Sequence, residues 1–476
     1  MTKAIISSVP WTDTDSPLMA PGLLKSSLKQ VGVDAIAIDL NQEFRQRIKD
    51  SPNKSSIIKF CLSEEVDPES TELIHDLFIW MTDRLLESNP HYIFLSLLTY
   101  LSQSSCRWLC WLIKQRRPDV KIIIGGAGCF NSLKSIDSFA MNLKSLGLID
   151  HFIVGDGDKA IQEVVNGNTD FPGINSPTWK EIENLDALPL PDYSDYDFSL
   201  YKVRSISVWG SRGCVRDCTF CDIHEHWSKF QWRSAESIFT EMRQQYELYG
   251  INIFNFADSL INGNQKEYRK LIKLLADFNK DKPDSKKIKW TSFFIFRPSS
   301  DMDEEDWRLT AESGALLLMV GVESFVNHIR QHLKKKFDNE DLHHGLIMAQ
   351  KYKVSLNLLL IVGYVTETEQ DHQAQLEWIR NNKSFAGNSV ISVNVGSTLA
   401  ILPGTWLDRN KENLNIKLMS EQVYQDWSRD EIGSTPDVRM KWHQEIVDSL
   451  LENGFNPKYA EDNHVLIENY VKNAQL

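Results

Sequence analysis

Eleven short apolar runs, five in the first third of the chain and six in its middle, alternate with stretches of helical periodicity, and this pattern restricts the fold most. The first series is "KAIISSV" (3–9), "DAIAIDL" (34–40), "YIFLSLL" (92–98), "KIIIGG" (121–126) and "HFIVG" (151–155). The second is "SISVWG" (205–210), "INIFNFA" (251–257), "IKWTSFFIF" (288–296), "ALLLMVGV" (315–322), "VSLNLLLIVG" (354–363) and "VISVNVGSTLAIL" (390–402). Continuous apolar character suits strands buried on both faces, as parallel sheets covered by helices require. Strands and helices in series build doubly wound sheets or barrels.

The expected fold class is α/β: a doubly wound domain over 1–165, a linker over 166–203, a partial barrel of six βα units over 204–405 and a small helical region over 406–476. The linker, rich in Pro, Asp, Asn and Tyr, lacks either periodicity, and its aromatic residues suit packing against a surface. A helix is predicted over "AESIFTEMRQQYELY", with Ser234 as N-cap and Gly250 as its stop. A length of 476 residues exceeds what one core supports.

The net charge of −13 argues against a nucleic-acid partner. No run approaches the roughly 18 apolar residues that span a bilayer, and the first residues lack a signal-peptide pattern; a cytoplasmic protein with no membrane partner is expected. "LKKKF" (333–337) reads as a solvated helix end.

Three of the seven cysteines stand within "RGCVRDCTFCDIHEHW" (212–227), as Cys214, Cys218 and Cys221. Chance gives such a spacing on the order of once in a thousand chains of this cysteine content. Cys61, Cys106, Cys110 and Cys129 lie in apolar or mixed surroundings and read as small buried hydrophobes. Structural zinc would need a fourth ligand, His224 or His226. A closed electron-transfer cluster would also need four protein ligands. A cluster held by three thiolates leaves one metal position open to a substrate or cofactor. The cysteines follow the first strand of the second series, at its carboxyl end, where such domains carry their chemistry. His224 and His226 otherwise read as polar residues of the loop. Adjacent His343 and His344 point to different helix faces and are no metal pair.

The CxxxCxxC spacing, with Phe220 before the third cysteine, resembles the signature of the radical S-adenosylmethionine (SAM) superfamily. The resemblance implies that Cys214, Cys218 and Cys221 ligate a [4Fe-4S] cluster whose fourth iron is chelated by SAM, and that reductive cleavage of SAM yields a 5′-deoxyadenosyl radical. It also implies an electron donor such as flavodoxin or ferredoxin. "GVES" places Glu323 where related enzymes contact SAM with an acidic residue. "IVGYVTETEQD" resembles the segment whose glycine, here Gly363, lets the backbone approach adenosine, and "LPGTWL" (402–407) resembles a Pro-Gly-Thr element after the sixth strand. Asp258 in "FADS" stands where many members have Gly-Gly-Glu holding the SAM amino group, and Arg297 in "FIFRP" is a candidate for the SAM carboxylate. The alternative for these two is a pairing with each other or with solvent.

A doubly wound domain before such a barrel resembles the cobalamin-binding class of the superfamily. Ser96 and Leu98 of "SLL", with Gly125 and Gly126, match its Ser-x-Leu and Gly-Gly elements, and "VGDGDKAI" (154–161) resembles its closing segment. The histidine of its Asp-x-His-x-x-Gly element is missing: "PWTDTDSPLMAPG" contains none. The resemblance implies cobalamin-dependent methylation of an unactivated carbon on a small-molecule or peptide substrate. The alternatives are a cyclisation, rearrangement or oxidation by the same domains, or a zinc-stabilised binding protein without turnover.

Overall fold

A computed structural model describes residues 2–12, 16–65, 67–130, 138–420 and 423–458. The chain divides into two compact units, Met1–Ser207 and Val208–Leu476.

The first unit holds β1 (Lys3–Ser8), β2 (Asp34–Ile38), β3 (Tyr92–Ser96), β4 (Lys121–Gly125) and β5 (His151–Ile153) in the parallel order β2-β1-β3-β4-β5. Alternate residues bury to opposite faces. Ile5, Ile93, Leu95, Ile122 and Ile124 join one core, while Ala4, Ile6, Phe94 and Ile123 join the other. The continuous apolar runs follow from this double burial, each large side chain contributing about 1.5–3 kcal/mol. The order reverses between β1 and β3, and at that switch point the carboxyl ends line up: Ser8 is opposite Ser96, and Ser96 opposite Gly125.

The segment 166–203 packs within this unit through its aromatic rings, with Tyr193, Phe198 and Tyr201 buried. Tyr201 donates to Asp39 Oδ2 at 2.6 Å, and buried Lys25 is paired with Asp192 and Asp195 at 3.1 and 2.6 Å.

The second sheet runs through β6 (Ser205–Val208), β9 (Ile253–Phe256), β10 (Lys289–Phe294), β11 (Ala315–Glu323), β12 (Leu356–Leu360) and β13 (Val390–Asn394), between which β7 (Ser211–Arg212) and β8 (Gln231–Trp232) form a separate hairpin. The six strands lie in sequential parallel order, with helices between them, as an open partial barrel. The helix Ala235–Tyr249 begins where expected: Ser234 Oγ accepts from Ser237 N at 3.2 Å, and Gly250 ends it with φ 63°.

Two corrections emerge. Most of the runs outlast the strands: "VISVNVGSTLAIL" forms a strand only over Val390–Asn394; beyond it Thr398 makes an isolated bridge to Val362, and Leu399 and Ile401 fill a cluster with Tyr364 and Trp427. The region after 405 is also more than helical. It contains the hairpin of β14 (Lys417–Leu418) and β15 (Trp427–Ser428), the helix Pro436–Glu452, and β16 (Pro457–Lys458), which adds a seventh strand beside β13. Residues 459–476 of that expected region lie outside the described residues.

Candidate active site

The cysteine loop leaves β6 through Gly210, whose N–H donates to Asp258 Oδ2 at 2.8 Å, while the Ser211 hydroxyl donates to Oδ1 of the same carboxylate. Arg212 then stacks on Trp209, 3.7 Å from its ring centre. Gly213, at φ 76°, turns so tightly that a Cβ there would lie 2.6 Å from Lys229 O.

Cys218 is buried and Cys214 and Cys221 half-buried, all three as free thiols. The Arg216 N–H points to Cys214 Sγ at 3.4 Å, and Cys221 N donates to Cys218 O at 3.2 Å. Later segments hold this loop from behind. Thr219 Oγ1 lies 2.7 Å from Tyr364 OH, which in turn lies 2.7 Å from His332 Nδ1. Leu407 N donates to Thr219 O at 3.0 Å, and Arg409 pairs with Glu225 at 3.1 Å. Gly404 of "LPGTWL" packs against Glu225, where a Cβ would lie 2.8 Å from Cδ. His224 contacts Arg216 O at 2.8 Å and His226 pairs with Asp222 at 3.5 Å, so both serve the loop's own fold.

Burial raises all three thiol pKa values, that of Cys221 to about 12. Thiols so placed give up their protons only to a metal. Among the described residues no three His, Cys, Asp or Glu side chains converge where one ion could bind. A cluster, which spreads its thiolates over several irons, fits three cysteines on one loop.

Glu323 ends β11 at φ 64°, after a register shift at Gly321. Its Oε1 accepts from Lys335 Nζ at 2.8 Å, with both side chains buried. "LKKKF" is therefore not simply a solvated helix end. Leu333 and Phe337 are buried on either side, and Lys334 and Lys336, both at positive φ, turn Lys335 inward. Lys335 Nζ stands 5.7 Å from the Phe220 ring centre. Burial works against its charge, but Glu323 and Cys218 outweigh burial and raise its pKa. The sequence reading missed this residue; two buried apolar residues four apart around the basic run were the available signal.

Asp258 and Arg297 do not pair with each other. Arg297 donates to Asn262 O at 3.2 and 2.6 Å and to Gly263 O at 3.0 Å. Gly363, at φ 75°, faces the Arg439 side chain: a Cβ there would lie 2.1 Å from Arg439 Cδ. A side chain at 363 would therefore collide with Arg439.

Ser96, Gly125 and Gly126 meet at the switch-point edge of the first unit. Gly126 has φ 101°, and a Cβ would lie 2.3 Å from Leu97 O; Leu98 beyond is exposed. In the histidine-free loop Asn41 exchanges hydrogen bonds with Thr12 at 2.8 and 2.9 Å, and Ser102 Oγ donates to Val9 O and Trp11 O. Residues 13–15 of that loop lie outside the described residues.

Asp258 gives a pH prediction. Burial pushes its carboxyl up to about 7, against the hydrogen bonds from Ser211 and Gly210. An unfolded aspartate ionises near 3.9, so the contribution of Asp258 to stability is full below about pH 4 and is lost as pH rises through about 7, by up to roughly 4 kcal/mol. Asp258→Asn should flatten this fall in a series of urea midpoints across that window. Glu367, also raised to about 7 by burial, titrates in both proteins, so superimposable profiles would mean that Asp258 carries no such cost.

Residues 210–379 match the radical SAM superfamily. Among curated proteins the chain is 23% identical over 260 residues to an uncharacterized methyltransferase of Pyrococcus horikoshii, covering 50% of this chain and 54% of that one. It is 26% identical over 208 residues to cytidylyl-2-hydroxyethylphosphonate methyltransferase of Streptomyces wedmorensis, covering 40% and 37%. The chain thus spans about half or less of these relatives. Among solved structures, the radical SAM methyltransferase TsrM from Kitasatospora setae, with cobalamin and [4Fe-4S] cluster bound, superimposes with TM-score 0.64 at 14% identity, covering 98% of this chain and 92% of that one. The cobalamin-dependent SAM radical enzyme OxsB, in its apo form, gives 0.65 at 14%, covering 100% and 71%. Residues 210–379 thus form a radical SAM domain, and such a domain implies a [4Fe-4S] cluster and SAM. The chain's fold is similar to that of TsrM and OxsB. Among the described residues no helix is long and apolar enough to cross a membrane.

Proposed function

We propose that this chain is a cobalamin-dependent radical SAM methyltransferase acting on an unactivated carbon of a small molecule or peptide. One observation carries the reading: a three-cysteine loop at a barrel strand's carboxyl end shares the chain with a doubly wound unit whose switch-point edge is formed by Ser8, Ser96 and Gly125. Ligands of such sheets lie outside the carboxyl ends at the switch point, and a flat cofactor tail can approach there because Gly125 and Gly126 have no side chains. When bound, the cluster supplies the electron that cleaves SAM, and cobalamin carries the methyl group.

The chain's own part is orientation and exclusion of water. Cys214, Cys218 and Cys221 hold the cluster, and Phe220, between the last two in the chain, packs against the apolar cluster around Tyr364. Glu323, Arg297 and Asp258 are the polar groups placed to orient SAM, the last through the backbone of Gly210. Ser96, Leu98, Gly125 and Gly126 border the cobalamin position, with no histidine from the loop after β1. A one-electron donor of flavodoxin or ferredoxin type supplies the reducing equivalent.

Anaerobic reconstitution with iron and sulfide, followed by incubation with methyl-labelled SAM and titration with cobalamin, tests the reading. Saturable cobalamin binding, formation of 5′-deoxyadenosine and label leaving SAM with cobalamin present are the expected results. A first unit that stays empty at saturating cobalamin, while 5′-deoxyadenosine still forms, would assign the chain to the non-methylating chemistries.

A further inference from the structure

Lys335 is a buried cation beside the cysteine loop that neither the motif nor the proposed chemistry uses. Its side chain is fixed on three sides. Glu323 Oε1 takes one of its three N–H groups at 2.8 Å, the Phe220 ring lies 5.7 Å away, and Gly321 leaves room where a Cβ would come within 3.0 Å of Nζ. Phe220 sits between Cys218 and Cys221 in the chain, so the ring that the ammonium faces belongs to the turn carrying two of the thiols.

A buried ammonium costs several kcal/mol unless paired. One carboxylate, Glu323, stands against it. Three thiolates on an iron–sulfur cluster create the need for such a charge, because cluster potential depends on net charge, hydrogen bonds to sulfur and exposure.

We propose that Lys335 is the positioning residue that sets the reduction potential of the cluster held by Cys214, Cys218 and Cys221, its ammonium favouring the reduced state and Glu323 fixing and moderating that charge. The proposal rests on the iron–sulfur reading of the loop. The step it governs is a one-electron reduction: the cluster gains one electron from a low-potential donor, dithionite in the test, and no bond forms or breaks. Removing a nearby positive charge favours the oxidised cluster, and removing the carboxylate that offsets it does the reverse.

The test uses the full chain, reconstituted anaerobically without SAM and titrated with dithionite while the reduced-cluster EPR signal is followed. Lys335→Gln should shift the midpoint to more negative potential, Glu323→Gln to less negative potential, and Lys335→Arg should stay near wild type. Shifts of opposite sign distinguish a charge effect from a structural one, which would lower iron content in both variants and move both midpoints alike. Unchanged midpoints, or shifts of the same sign, overturn the proposal. Where Lys335→Gln takes up no cluster, Glu323→Gln decides: an upward shift supports the assignment and an unmoved midpoint overturns it. A wild-type chain that takes up no iron–sulfur cluster overturns the cluster reading itself, and this inference with it.

Discussion

Cys218→Ala should fold as the wild-type apoprotein does, within about 1 °C in its thermal transition, yet take up almost no iron–sulfur cluster and form no 5′-deoxyadenosine above background. The expectation of an intact fold comes from how the loop is held. Thr219 is fixed through its hydroxyl to Tyr364 and through its carbonyl to Leu407 N, and Glu225 is fixed to Arg409. None of these contacts uses the Cys218 thiol. Removing one buried sulfur leaves a small cavity, and Cys221 N still has the Cys218 carbonyl to bond. The expected loss of the cluster comes from ligand number, since three thiolates are already one short of a closed set and two leave two irons without protein ligands. Iron and sulfide content, visible absorption and the melting transition of the apoprotein check the result together. A large fall in melting temperature, with zinc in the purified wild type, would point instead to a structural metal, because structural zinc contributes folding energy directly.

What the sequence disclosed and what it concealed divide by physical cause. Double burial of parallel strands leaves a continuous apolar trace, so the order of elements in both sheets was legible; Ile122 and Ile124 read the same as Ile123 although they face opposite cores. That trace does not say where a ladder ends, because Leu399 is as apolar off the strand as Val393 is on it. Chemistry carried by a short local spacing was legible too, and the three cysteines are the example. Chemistry assembled from distant residues was not. Lys335 reaches Glu323 only because Lys334 and Lys336 adopt positive φ, which a run of three lysines does not announce. The chain from Thr219 through Tyr364 to His332 joins residues 145 and 32 apart. Asp258 was singled out for the SAM amino group, with a pairing to Arg297 as the alternative; its partners are Gly210 and Ser211 rather than Arg297. A strand's carboxyl end marks where an acid will matter and leaves open what it will hold.

Gly363→Ala should destabilise the second unit by about 3 kcal/mol or more, combining an L-residue forced to positive φ with displacement of a buried guanidinium. At roughly 2–4 °C per kcal/mol for a unit of this size, its melting transition should fall by about 6–12 °C. Arg439 has no easy alternative place. Its guanidinium donates to Gln425 O at 2.9 Å, Trp427 O at 2.7 Å and Ser434 Oγ at 3.2 Å, and lies 3.7 Å from the Trp427 ring centre. Burial lowers its pKa to about 10, so losing these partners would leave a charge in a dry setting. The same helix is anchored again where His372 stacks on Trp442 and contacts Glu445 at 2.7 Å, which keeps Arg439 from moving aside. Arg439→Ala added to Gly363→Ala should therefore cost much less than the two single changes together, because the side chain that the new Cβ strikes is gone; a double-mutant cycle measures that coupling. Strict additivity would mean that the contact is not what the glycine serves. The alternative, a glycine kept so that adenosine can lie against the backbone, predicts something else: Gly363→Ala would then lose affinity for SAM and only the roughly 1–2 kcal/mol that its positive φ costs, and Arg439→Ala would not rescue it. Tyr364 bonds Thr219 beside Cys218, so displacement of Arg439 by the new methyl group should also lower the cluster content of the single variant, and the double variant should regain part of it.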